Sequence, residues 1–150
     1  MVVGDECVHG TCVAFGNRAV LITGPSGAGK SDLALRLIFA EGLDCLTEAP
    51  GRLVADDQVV LSKRNQELFA APPQSIVGKL EIRGIGIVEL DFVANVKLCL
   101  VVRLVPSDDV PRMPKERCNE NLLGVSLPLV RLLAHEPSTP IKVAIALSRI

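Results

Sequence analysis

Residues 24–31 read Gly24-Pro25-Ser26-Gly27-Ala28-Gly29-Lys30-Ser31, a full match to the phosphate-loop pattern G-x-x-x-x-G-K-[ST]. The apolar run Ala19 to Ile22 precedes it, and Asp32-Leu33-Ala34-Leu35-Arg36-Leu37-Ile38 follows. The loop therefore falls between a strand and a helix, the setting in which the pattern has a mechanism. Its glycines allow the backbone to curl so that successive N–H groups face one anion-sized hollow at the positive end of the helix. That hollow suits a triphosphate. Lys30 can reach the β- and γ-phosphates as a point charge, and the Ser31 hydroxyl can ligate Mg²⁺. A glycine-rich turn without a ligand would account for the glycines but not for the Lys-Ser ending in this setting. An α/β fold built around nucleotide binding is the first expectation.

The 150 residues and 49% hydrophobic content fit one domain, residues 1–150, able to bury a core without covalent staples. Sixteen basic and seventeen acidic residues, no basic block and four Phe as the only aromatics give no nucleic-acid surface. Cys7, Cys12, Cys45, Cys99 and Cys118 are scattered, odd in number and without a C-x-x-C pair, which reads as reduced thiols in a cytoplasmic protein. No basic leader precedes an apolar stretch, and no run approaches the ~18 apolar residues needed to span a bilayer, so no membrane partner is expected.

Along the chain, residues 8–15 and 18–23, separated by Gly16-Asn17, read as a hairpin leading into the phosphate loop. The helix after the loop carries Leu33, Ala34, Leu37 and Ile38 on one face and ends near Ala40-Glu41-Gly42, with Gly as a suitable C-cap. Residues 42–51 read as an irregular connection before a strand at 52–55, and residues 59–61 and 67–70 as strands joined by a turn. Pro72-Pro73 interrupts regular structure ahead of a short helical turn near residues 75–77 and a bent strand or tight loop over 80–90. The run 96–105 reads as a buried strand, and 106–121, rich in Pro, Asp, Arg and Asn, as an exposed loop. A last strand over 125–130 precedes a C-terminal helix announced by Ser138-Thr139-Pro140. The resulting architecture is a mixed β-sheet flanked by few helices.

Phosphoryl transfer needs compensation of charge on the β/γ oxygens, a metal, and a base for the acceptor hydroxyl. Asp56-Asp57, directly after a strand, is the natural source of an acidic ligand or base, although acids at strand ends are also common as plain turn residues. On residue type alone His9 reads as a strand histidine, and Glu81 with Arg83 as a surface ion pair.

Four stretches in order resemble the catalytic domain of bacterial HPr kinase/phosphorylase, the enzyme that phosphorylates a serine of the phosphocarrier HPr. They are His9-Gly10, Gly24 to Ser31, Leu53-Val54-Ala55-Asp56-Asp57 and Leu80-Glu81-Ile82-Arg83-Gly84-Ile85-Gly86-Ile87. The resemblance covers residues 7–90 well, and its last stretch is the most specific. It implies catalytic roles for His9 and Lys30, the proton acceptor within Asp56-Asp57, Mg²⁺ ligation by Ser31 and Glu81, an ordering role for Arg83 and, by a looser match in Val110-Pro111-Arg112-Met113-Pro114, a role for Arg112. It also implies ATP with Mg²⁺, an HPr-like phosphocarrier as acceptor, and a homo-oligomer, a hexamer in the related domains.

The sequence also departs from that family. The separate N-terminal domain of full-length members is expected to be missing, Asp32 stands where Glu is usual, and the stretch from Lys30 to Asp56 is longer. Residues 126–131 and 139–142, including Arg131 and Lys142, match poorly the later basic loop that the family uses for dephosphorylation, so the expectation is a kinase with little phosphorylase activity. A small-molecule kinase on the same loop and a nucleotide-sensing module without catalysis are the alternatives.

Overall fold

A computed structural model of the chain describes residues 5–114 and 116–150. Eleven strands, in chain order, are β1 Glu6–His9, β2 Thr11–Phe15, β3 Arg18–Thr23, β4 Gly51–Ala55, β5 Gln58–Arg64, β6 Glu67–Ala71, β7 Lys79–Ile82, β8 Gly86–Glu89, β9 Val96–Leu104, β10 Cys118–Leu122 and β11 Val125–Leu132. Three α-helices accompany them, α1 Lys30–Phe39, the one-turn α2 Asp44–Thr47 and α3 Thr139–Ser148. Among the described residues no helix is long and apolar enough to cross a membrane.

The phosphate loop requires a strand that stops and a helix that starts, and both sit at the middle of the main sheet. β3 runs parallel to β9, and β9 runs parallel to β11 over Val101–Leu104. At its start, β9 instead pairs antiparallel with β6 at Lys97 and Val96. The remaining neighbours are antiparallel, in the order β1-β5-β6-β9-β3-β2-β4. One face of these parallel strands is covered by α1 and α3. Val13, Phe15, Val20, Ile22, Leu100 and Val102 point to the helices and meet Leu33, Leu37, Val143 and Leu147. The alternate residues of the same strands, Cys12, Ala14, Leu21 and Val101, form a second core with Leu61, Leu68, Leu127 and Leu129. Period-two alternation thus supplies two cores from one set of strands, each large apolar side chain contributing roughly 1.5–3 kcal/mol on burial.

Several elements differ from the sequence reading. Residues 8–15 are not one strand: the chain breaks at Gly10, so that β1 pairs with β5 while β2 pairs with β3 and β4. Gly10 permits this crossing because a Cβ there would lie 2.8 Å from the Ile22 carbonyl oxygen. Its N–H donates to the Asp57 carbonyl at 3.0 Å, which ties the break to the acidic pair. Residues 106–121 are not wholly loop, since β10 forms a hairpin with β11 despite its polar composition. Exposure of one face lets Asn and Glu occupy that strand; Lys115, within this stretch, lies outside the described residues. The connection after α1 contains α2; α1 itself ends at Phe39 with Ala40 as its C-cap, within the expected stretch 40–42. Ser138 stands at the N-cap of α3 without a side-chain cap bond. Thr139 instead donates its hydroxyl to the Leu133 carbonyl at 2.6 Å, tying the helix start back to the end of β11.

Candidate functional site

The carboxyl end of β3 delivers the chain into the loop at Gly24, and α1 begins at Lys30. Gly24, Gly27 and Gly29 have φ of 152°, 81° and 99°, backbone conformations that cost L-residues with a side chain and that glycine adopts freely. Lys30 is buried, and its Nζ donates to the Gly24 and Pro25 carbonyls at 2.8 and 2.9 Å. The ammonium thereby braces the entrance of the loop from inside and stands beside its N–H groups.

Asp56 and Asp57 follow β4 and point to different partners. Asp56 is buried; its Oδ1 accepts the Ser31 hydroxyl at 2.7 Å and the Thr11 hydroxyl at 3.0 Å, and its Oδ2 accepts the Glu81 N–H at 3.2 Å. A buried carboxylate is tolerated where it is hydrogen-bonded to this extent. One side chain therefore fastens α1, β2 and β7 around the loop. Asp57 has φ of 68°, which turns it away from its neighbour into the open, 3.5 Å from Nδ1 of His9. Both members of that pair are exposed, so it orients the two groups and adds little to stability. The two adjacent acids thus differ in setting, Asp56 buried and fully hydrogen-bonded, Asp57 exposed beside His9.

Glu81 and Arg83 are exposed at the end of β7 and line the same cleft as His9, Lys30, Ser31 and Asp57, a hollow of about 570 Å³. They form no ion pair with each other among the described residues. Arg83 instead reaches towards the loop, its guanidinium 3.9 Å from where a Cβ of Gly27 would stand. Arg112 is exposed in the segment before β10 and does not line this cleft. Ser26, Gly27 and Gly29 do line it. Thr11 and His135 are cleft residues that residue-type reasoning missed. Thr11 follows His9-Gly10 and was legible only as a β-branched strand residue, and His135 stood in a stretch whose Pro and Ser announced a helix.

The Ser31 hydroxyl and the Glu81 carboxylate both line this cleft and are hard oxygen donors of the kind that suits Mg²⁺ rather than a soft metal. A Cβ on Gly29 would stand 3.1 Å from His135 and 3.3 Å from Ala134, so glycine there lets the loop pass close to the segment before α3.

The family model described as HPr Serine kinase C-terminal domain matches residues 2–146. HPr kinase/phosphorylase of Chloroherpeton thalassium is 33% identical over 135 residues, which is 83% of this chain and 37% of that protein. HPr kinase/phosphorylase of Acidovorax sp. is 35% identical over 130 residues, 79% of this chain and 38% of the relative. The solved structure of the Hpr(Ser) kinase/phosphatase from Coxiella burnetii superposes with a TM-score of 0.75 at 27% identity, covering 96% of this chain and 94% of the other. The chain spans about two fifths of the length of the curated relatives it matches. The α/β fold with a phosphate loop is therefore that of the solved relative, and the chain belongs to the HPr serine kinase C-terminal domain family.

Proposed function

We propose that this chain is an ATP-dependent protein serine kinase acting on an HPr-like phosphocarrier, with residues 1–150 as one cytoplasmic catalytic unit. The observation that carries this reading is the division of labour between Asp56 and Asp57. One acid is consumed in holding Ser31 at the phosphate loop, and the next is accessible, 3.5 Å from His9, where an acceptor hydroxyl can approach.

In this reading the N–H groups of Gly27 and of residues 29–31 bind the triphosphate, and Lys30 and Arg83 offset the charge that develops on the transferred group. The acceptor serine Oγ forms its bond to the γ-phosphorus as the bond to the ADP oxygen breaks, and the hydroxyl proton passes to a carboxylate oxygen of Asp57. His9 holds that carboxylate in position. Ser31 and Glu81 would hold Mg²⁺, which when bound neutralises charge on the β- and γ-oxygens. Asp56 keeps the Ser31 hydroxyl in place.

A protein acceptor is favoured over a small molecule by the rim of the cleft. Ile85 and Ile87, on the β7–β8 hairpin next to Arg83, are 75% and 70% exposed, an apolar edge suited to a partner surface. The forward reaction should dominate. Arg131 lies against Cys118 and Lys142 is paired with Glu136 at 3.1 Å, so neither of the later basic residues lines the cleft. The assembly is read as a homo-oligomer, hexameric as in the resembling domains, and sedimentation showing only monomer would oppose it.

The deciding experiment incubates the chain with labelled ATP, Mg²⁺ and a panel of HPr-like proteins. Phosphoserine on one of them supports the reading. ATP binding without transfer to any protein, or transfer only to a metabolite, replaces it with a sensor or a small-molecule kinase. Phosphorylated acceptor returned with inorganic phosphate should yield little pyrophosphate.

A further inference from the structure

The cleft has a second wall that the transfer chemistry does not use. It is formed by the segment joining β11 to α3, where His135 lies against the phosphate loop: a Cβ built on Gly29 would stand 3.1 Å from its Cε1 and 3.6 Å from its Nε2. His135 is exposed and, among the described residues, has no hydrogen-bond or ion-pair partner, so its imidazole is not there to satisfy a neighbour.

Its position is nonetheless fixed from both sides. Arg36 of α1 donates to the carbonyl of Ala134 through Nη2 and to the carbonyl of Glu136 at 3.2 Å through Nη1, straddling His135. Arg36 is itself held by Asp32, one turn earlier, at 3.0 Å. Thr139 pins the start of α3 to Leu133, and Lys142 pairs with Glu136. A planar side chain without a partner, on a segment clamped at both of its flanking carbonyls, is arranged to meet something that enters the cleft.

The geometry of α1 says what that is. Ser31 faces Asp56 and β7, while Arg36, five residues on and so about 140° around the helix, faces the 134–136 segment. The two walls of the cleft thus lie on opposite flanks of the helix start. If the γ-phosphate is directed to His9 and Asp57, the α-phosphate and nucleoside leave over Gly29 towards the other flank, where His135 lines the cleft. An imidazole plane without a partner offers a surface for a π-face and is not a phosphate cradle.

We infer that His135 is a nucleoside-binding residue, which stacks on the base of the bound nucleotide and distinguishes a nucleoside triphosphate from a bare polyphosphate. This rests on the kinase reading for the direction of the phosphates. Stacking is tolerant of base identity, so ATP and GTP should both benefit.

The test measures calorimetric affinity for ATP and for inorganic tripolyphosphate in parallel, with unaltered chain, His135→Ala and His135→Phe. Removing the ring should weaken ATP roughly 5- to 150-fold, the span of a lost base–aromatic stack, and leave tripolyphosphate within about twofold of the unaltered chain, while His135→Phe keeps ATP affinity because it keeps a ring. A structural role would lower both ligands together and would not be rescued by Phe. The inference is overturned if ATP affinity is unchanged in His135→Ala, if tripolyphosphate falls in step with ATP, or if His135→Phe behaves as His135→Ala. If the unaltered chain holds ATP no more tightly than tripolyphosphate, this inference fails while the phosphate-loop reading stands; if it binds neither, both fail.

Discussion

The Ser31 hydroxyl donates to Asp56 Oδ1 over 2.7 Å, although 25 residues separate the two in the chain. This bond joins the first turn of α1 to the end of β4, and with the Thr11 hydroxyl and the Glu81 N–H on the same carboxylate it closes the phosphate loop against three strands. Asp57, next in sequence, shares none of these partners and sits with His9.

The two acids should therefore separate in mutagenesis. Asp56→Asn turns one carboxylate oxygen into an NH₂ donor among N–H and O–H donors, which should destabilise the chain by about 1–3 kcal/mol and loosen metal-dependent nucleotide binding. Asp57→Asn keeps a residue that tolerates positive φ and should leave stability and nucleotide affinity near their starting values, while transfer falls by roughly 10² to 10⁴. Chemical denaturation, ATP titration and phosphoserine formation on the two variants give the comparison.

Lys30→Ala removes the cation beside the loop and the brace on the Gly24 and Pro25 carbonyls. Transfer should be abolished and triphosphate binding weakened. Ser31→Ala leaves the N–H cradle intact and should instead raise the Mg²⁺ concentration needed for half-maximal activity. A Mg²⁺ titration unchanged by Ser31→Ala would remove this residue from the metal site.

Gly29→Ala meets two separate obstacles. Its φ of 99° disfavours any residue with a Cβ, at roughly 1–2 kcal/mol, and the added methyl would press on His135 and Ala134 at 3.1 and 3.3 Å. Nucleotide affinity should drop sharply while far-UV circular dichroism stays that of the unaltered chain, since the loop lies outside both apolar cores.

Thiol accessibility should sort the cysteines by burial. Cys7, Cys45 and Cys118 are exposed, whereas Cys12 is fully buried on β2 and burial pushes its thiol well above the ordinary range. Because the thiolate is the reactive form, Cys12 should stay unlabelled by a thiol reagent near neutral pH until the chain is unfolded, with Cys7, Cys45 and Cys118 reacting early. Labelling at Cys12 in the folded protein would show that β2 opens locally.

The phosphate loop, the helix after it, the buried run that became β9 and the two acids were legible in the linear sequence, because each is written in local terms. Glycines permit positive φ, a 3.6-residue period fills one helix face, and an apolar run asks to be covered on both sides. What the sequence could not determine is which of two adjacent carboxylates is sequestered, that Gly10 divides one apparent strand between two pairings, or that polar residues 118–122 close a hairpin on β11. It also could not bring His135 to Gly29, more than one hundred positions earlier in the chain. Those outcomes depend on partners distant in sequence. A carboxylate becomes buried or free according to which donors the fold brings to it, and an imidazole joins a cleft only because Arg36 fastens the carbonyls on either side of it.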